Sequence, residues 1–73
     1  MKTKQVKIFE QGNGLPEAGD FCMGGGQLYQ VVSMDSRIQT GDVRGNWVYA
    51  TVSQVPFHAC EEADQHTARV DDR

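Results

Sequence analysis

Apolar residues in this chain fall in short alternating runs separated by glycine. Gln5-Val6-Lys7-Ile8-Phe9 alternates with period two, which predicts a strand carrying Val6 and Ile8 on one face and Lys7 on the other. Gln11-Gly12-Asn13-Gly14 breaks it, and Leu15-Pro16-Glu17-Ala18-Gly19-Asp20 reads as a loop. Phe21-Cys22-Met23 opens a hairpin, Gly24-Gly25-Gly26 turns it, and Gln27 to Met34 returns. Strict alternation in the return strand puts Leu28, Gln30, Val32 and Met34 on one face and Tyr29, Val31 and Ser33 on the other. Arg37 to Thr40 is a short strand. The run from Trp47 to Val55, rich in β-branched and aromatic residues, is the strongest strand of the chain. It sets Val48, Ala50 and Val52 on one face and Trp47, Tyr49, Thr51 and Ser53 on the other.

After Pro56 the pattern changes. Residues 58–73 are polar, and Ala59 to Ala68 is rich enough in Glu, Ala and Gln to predict one or two helical turns. The last five residues read as disordered. Five short strands at regular spacing predict a small all-β fold: a five-stranded antiparallel SH3-like open barrel or meander with a short helical or disordered acidic C-terminal tail. The division is a barrel domain over 1–57 and a tail over 58–73. Strands are too few for a two-layer sandwich.

Length and composition narrow the function classes. At 73 residues with 38% hydrophobic content, the chain forms one domain at most and has no room for a deep enzyme core. So small a domain buries a limited share of its surface, which makes self-association, such as a homodimer, an expectation. No run approaches the roughly 18 apolar residues of a membrane span. The basic start, Met1 to Lys7, is followed by no apolar stretch of signal-peptide type. Cys22 and Cys60 are too few for a disulfide framework and read as reduced thiols. These features together predict a cytoplasmic protein.

The net charge of −3 is unevenly distributed. Residues 1–9 carry three lysines and no acid, whereas residues 10–57 and 58–73 each carry five acids against two arginines. So acidic a chain is a poor binder of nucleic acid through phosphates. The three lysines read as protection of an edge strand against aggregation.

Candidate chemistry is thin. His58, Cys60, Glu61, Glu62, Asp64 and His66 gather imidazole, thiol and carboxylate within nine residues, but their spacing matches no structural zinc signature. No orienting group can be argued for a Cys60–His58 nucleophile. Gly12-Asn13-Gly14 and Gly24-Gly25-Gly26 lack the lysine and helix start of a phosphate loop. No cofactor, metal site or catalytic set is therefore expected. Trp47 and Tyr49 share a face that the small aliphatics leave pointing outward, with Tyr29 across from them. The loop tip Asp42, Arg44 and Asn46 adjoins Trp47. Such a surface suits recognition of a protein partner, although aromatics of this kind also fill cores and dimer interfaces.

Three functional readings follow. The leading one is a non-enzymatic protein-interaction module. Its size and acidity resemble those of accessory proteins of phages and mobile elements. The second is an acidic inhibitor whose Glu61, Glu62, Asp64, Asp71 and Asp72 stand in for phosphates and block a nucleic-acid-binding enzyme. The third is an oligomeric ligand-binding or catalytic barrel with its pocket between subunits.

Overall fold

The computed structural model describes residues 2–71. Its elements are six strands: β1 (Thr3–Phe9), β2 (Phe21–Gly24), β3 (Gln27–Met34), β4 (Gln39–Asp42), β5 (Gly45–Val55) and β6 (Gln65–Asp71). Two single-turn 3₁₀ helices, Phe57–Ala59 and Glu62–Asp64, join β5 to β6. The expected strands appear, but β4 begins two residues later than the expected Arg37–Thr40 and runs on into Gly41 and Asp42, which were read as turn. The strands run β1-β6-β2-β3-β5, and β5 returns to β1, so the wall closes. β4 is an extra strand that continues along β5 beyond the reach of β3.

Three features of the expected architecture are corrected. The barrel is closed, because β1 pairs with β5 on one side and with β6 on the other. The sheet is mixed, because β2 and β6 run parallel. Residues 65–71 of the expected tail form a barrel strand, and the predicted helical turns shrink to the two 3₁₀ turns. The last correction has a local cause. Gln65 to Asp71 alternates, with Ala68 and Val70 buried between exposed Thr67 and Arg69, and partners on both sides outweigh the helix preference of the segment. An SH3-like arrangement is not what these pairings establish. They establish a small closed β-barrel of five strands with one addition.

The core lies inside the wall: Val6, Ile8, Cys22, Tyr29, Val31, Val48, Ala50, Val52, Ala68 and Val70, with Leu15 and Met34 packed against it. Val48, Ala50 and Val52 point inward as their alternation predicts. β3 departs from its alternation. Val31 faces Val52 and Ser33 faces Thr51, which leaves Val32 as an extra residue in a bulge. The bulge shifts the phase by one, so Tyr29, Val31 and Met34 all serve the interior while Val32 is 46% exposed. Ser53, expected outside, is buried with a hydroxyl that has no hydrogen-bond partner among the described residues.

The glycine triplet does two jobs. Gly25 and Gly26 form the two-residue β2–β3 turn at φ of 57° and 78°, which only glycine adopts easily. Gly24 belongs to β2 and lies against Val70 of β6, where a Cβ would meet the Val70 carbonyl oxygen at 2.2 Å. The parallel β2–β6 contact that closes the barrel is thus as tight as a glycine allows.

Candidate functional site

On the outside of the wall, β1 and β5 present a single row. The register sets Phe9 opposite Trp47, Lys7 opposite Tyr49 and Gln5 opposite Thr51, and directly paired residues share a face. Trp47 and Tyr49 pack edge to face, with ring centroids 4.9 Å apart and planes at 87°. The Lys7 ammonium lies over the indole, 4.4 Å from its centroid. Phe9 tilts against Trp47 at 6.4 Å. Trp47 is half-buried under these neighbours, and Tyr49 is 38% exposed.

The β4–β5 hairpin tip folds back over this row. The Asp42 carboxylate accepts the Arg44 backbone N–H at 2.8 Å, which holds the turn and, as the largest cause, lowers the Asp42 pKa from its ordinary value. Gly45, at φ of 107°, completes it. Arg44 then stacks on Phe9, 4.0 Å from the ring centroid, and donates to Asp71 of β6 at 2.8 Å. That bond raises the already high pKa of the guanidinium. Asn46 is turned to Glu10: its side-chain amide donates to the Glu10 carboxylate at 3.4 Å, and its backbone carbonyl accepts the Glu10 backbone N–H.

Beyond Tyr49 the row ends in a polar knot. Asp35 accepts hydrogen bonds from Thr51 Oγ1 (2.6 Å), Ser33 Oγ (2.7 Å) and Gln5 Nε2 (3.3 Å). These donors, Thr51 first, hold its carboxyl below the usual value. The Asp35 N–H donates to the Tyr49 carbonyl, and Ser36 Oγ accepts the Tyr49 N–H, so the β3–β4 turn is fastened along the aromatic strand. The aromatic row is therefore braced at both ends. Ile38, before β4, and Val43, at the hairpin tip, are exposed apolar side chains.

Of the residues singled out from sequence, Trp47, Tyr49, Asp42 and Arg44 come together here, and Asn46 borders them in its bond to Glu10. Tyr29 does not join them. It is 1% exposed, because its place on β3 before the bulge turns it inward. Lys7 and Asp71 also take part, over Phe9, which lies buried beneath Arg44 and Trp47, and these three were not anticipated. Phe9 could have been found from the alternation of Gln5, Lys7 and Phe9, but the partners of Lys7 and Asp71 depend on the register. The edge-strand role expected for the lysines also changes, since Lys7 lies where β1 is flanked by both β5 and β6.

The acidic residues do not form one patch. Glu61, Glu62 and Asp64 are exposed on the β5–β6 connection, whereas Asp71 is held by Arg44. Asp72 lies outside the described residues. Burial, with Asp64 and Glu61 adding to it, pushes the Cys60 thiol up, away from the thiolate that a nucleophile needs. Cys22 is buried and pushed up to about 12, mainly by desolvation. Among the described residues, no three His, Cys, Asp or Glu side chains gather as a metal site, and no helix is long and apolar enough to cross a membrane. Compared with family models, curated proteins and solved structures, the chain matches none of them.

Proposed function

We propose that this protein is a non-enzymatic interaction module that docks a partner protein on the outer β1–β5 face, centred on Trp47 and Tyr49. One observation carries the reading: an edge-to-face aromatic pair sits on the outside of a closed barrel whose interior is already filled by aliphatic side chains and Tyr29. Aromatic residues concentrate at the centres of protein interfaces, where they bury large area at low entropic cost. Here both rings are already fixed by Lys7, Phe9 and the Asp35 turn, so little ordering is left for binding to impose. Lys7 and Arg44 give the surface a cationic rim, and exposed Val43 stands at the tip of the adjoining hairpin.

The test compares the wild-type chain with Tyr49→Ala and Trp47→Ala as bait in source-cell lysate, each first verified as folded by circular dichroism. Both variants should lose the captured partner. Tyr49→Ala is the cleaner probe, because its side chain is partly exposed and its removal should cost only about 1 kcal/mol of stability. A partner held equally well by folded Tyr49→Ala and wild type defeats the reading. Trp47 is the sole tryptophan, so its fluorescence also reports self-association: an emission shift with protein concentration would identify the partner as a second copy.

A further inference from the structure

The Gly12-Asn13-Gly14 turn, which is no phosphate loop, holds a different chemistry. The β1–β6 register pairs Phe9 with Arg69, and continued past the end of β1 it sets Gln11 opposite Thr67. The turn therefore lies against β6, the strand that closes the barrel, and Thr67 fastens it there. Thr67 Oγ1 lies 2.7 Å from the Gln11 carbonyl oxygen and 2.6 Å from Asn13 Oδ1, and it accepts the Asn13 N–H at 3.4 Å. The hydroxyl has one proton for these two acceptors. Packing is close, since a Cβ on Gly12 would stand 2.7 Å from the same hydroxyl. Gly14 sits in open space. Its N–H donates to the Gln11 carbonyl at 3.1 Å in an isolated bridge, and no described atom lies within 4 Å of the place a Cβ would take.

An asparagine followed by glycine carries its own nucleophile, because the next backbone nitrogen reaches the side-chain amide when no Cβ obstructs it. Asn13 is exposed, so water and base have access to it. We propose that Asn13–Gly14 is a self-modifying site, at which Asn13 is converted to isoaspartate or aspartate and the Thr67 hydroxyl promotes the first step. The Gly14 nitrogen gives its proton to solvent hydroxide and attacks Asn13 Cγ. An N–Cγ bond forms, and the carbonyl electron pair moves onto Oδ1, where Thr67 donates to the growing charge. The pair then returns, the Cγ–Nδ2 bond breaks, and ammonia leaves with a proton from water, which closes a succinimide. Water opens the ring. Breaking the new N–Cγ bond gives aspartate, and breaking the original peptide bond gives isoaspartate. Either product adds one negative charge. Isoaspartate also adds a methylene to the main chain of a turn that fits closely on β6, so its formation releases the turn from Thr67. Asn46, the other asparagine, precedes Trp47 inside β5 and lacks this freedom. The site is independent of the aromatic face.

The experiment incubates the full chain at mildly alkaline pH. Ion exchange reads the added charge, and fragment mass spectrometry locates it. Asn13 should convert to completion while Asn46 stays intact, with ammonia released in equal amount. Thr67→Val, verified as folded by circular dichroism, should convert about tenfold more slowly, a smaller loss than at a buried oxyanion site because this donor is exposed and shared with Gln11. Thr67→Ser, which keeps the hydroxyl, should convert at the wild-type rate. The purified isoaspartate form should melt about 5–10 °C below fresh protein, whereas Asn13→Gln should keep its melting temperature through the same incubation. Conversion no slower in Thr67→Val than in wild type overturns the proposal. So does an Asn13 that survives in the native chain while the urea-unfolded chain converts it, since the fold then protects the site. An isoaspartate form that melts with fresh protein overturns the release of the turn.

Discussion

Adding one methyl group at Gly24 tests how the barrel closes. Gly24 has no positive φ, so alanine meets no backbone penalty there, and the narrower unfolded ensemble of alanine should by itself stabilise the fold by about 0.4–1 kcal/mol. Packing dictates the opposite sign. The new Cβ would stand 2.2 Å from the Val70 carbonyl oxygen, 2.7 Å from Val70 Cβ and 2.9 Å from the Val70 carbonyl carbon. Two of these three atoms are backbone, so no rotamer change relieves the clash. β2 and β6 must separate by about 1 Å to reach ordinary contact distance. Overpacking of this kind costs about 1–3 kcal/mol, and a ladder hydrogen bond stretched out of range adds about 1 kcal/mol. After subtracting the alanine gain, Gly24→Ala should lose about 2–3 kcal/mol. A domain of this length holds roughly 4–11 kcal/mol in total, so the melting temperature should fall by about 10–20 °C. Urea and thermal unfolding, followed by far-ultraviolet circular dichroism and Trp47 fluorescence, measure it. Gly26→Ala is the comparison: at φ of 78° with nothing within 4 Å of the added Cβ, it should lose only about 1–2 kcal/mol, through the backbone alone. If Gly24→Ala is as stable as wild type, or loses no more than Gly26→Ala, the tight parallel β2–β6 closure is refuted.

Two further predictions concern titrating groups. Asp35 has a folded pKa below its ordinary value of 3.8, so its ionised form binds the fold better than its neutral form. The stability it contributes is present above 3.8 and is lost as the pH falls through the lower folded value. Melting temperatures from about pH 7 to about pH 2 should therefore show a steeper acid limb for wild type than for Asp35→Asn, which should also be less stable at neutral pH; parallel limbs would contradict this. For the thiols, maleimide labelling at about pH 8 should modify Cys60 first, and more slowly than an unstructured thiol. Cys22, buried and pushed up to about 12, should react only on unfolding. Labelling of Cys22 in native protein at the Cys60 rate would mean that the barrel interior opens readily.

Five of the six strands were legible in the sequence because a strand's alternation is local. From Trp47 to Val52, each side chain's face follows from the pleat, so Val48, Ala50 and Val52 are inside and Trp47 and Tyr49 outside, as read. The same reasoning fails on β3 for a reason that leaves no local trace. A bulge at Val32 inserts one residue and exchanges the faces beyond it, which puts Met34 with Tyr29 and Val31. Tyr29 precedes the bulge and shares its face with Val31, and it was assigned to the wrong surface because the register that sets Val31 opposite Val52 is not local. Of the candidate site, the aromatic pair and the hairpin tip were legible, while Lys7 over the indole and the reach of Arg44 to Phe9 and Asp71 were not.

What the sequence determined by itself was a small all-β domain: where five of its six strands run, where glycine turns them, and that the small aliphatics of the longest strand fill its interior. Tertiary structure decided which strands meet. Residues 65–71 are polar enough to pass for a tail, and only β1 and β2 on either side make them a strand that shuts the wall. The same pairing separates the three lysines, placing Lys7 on an indole and Lys2 and Lys4 at the mouth of the barrel. Alternation is set by neighbours in the chain, whereas register and closure depend on contacts between residues far apart in it, and a single sequence does not reveal those distant partners.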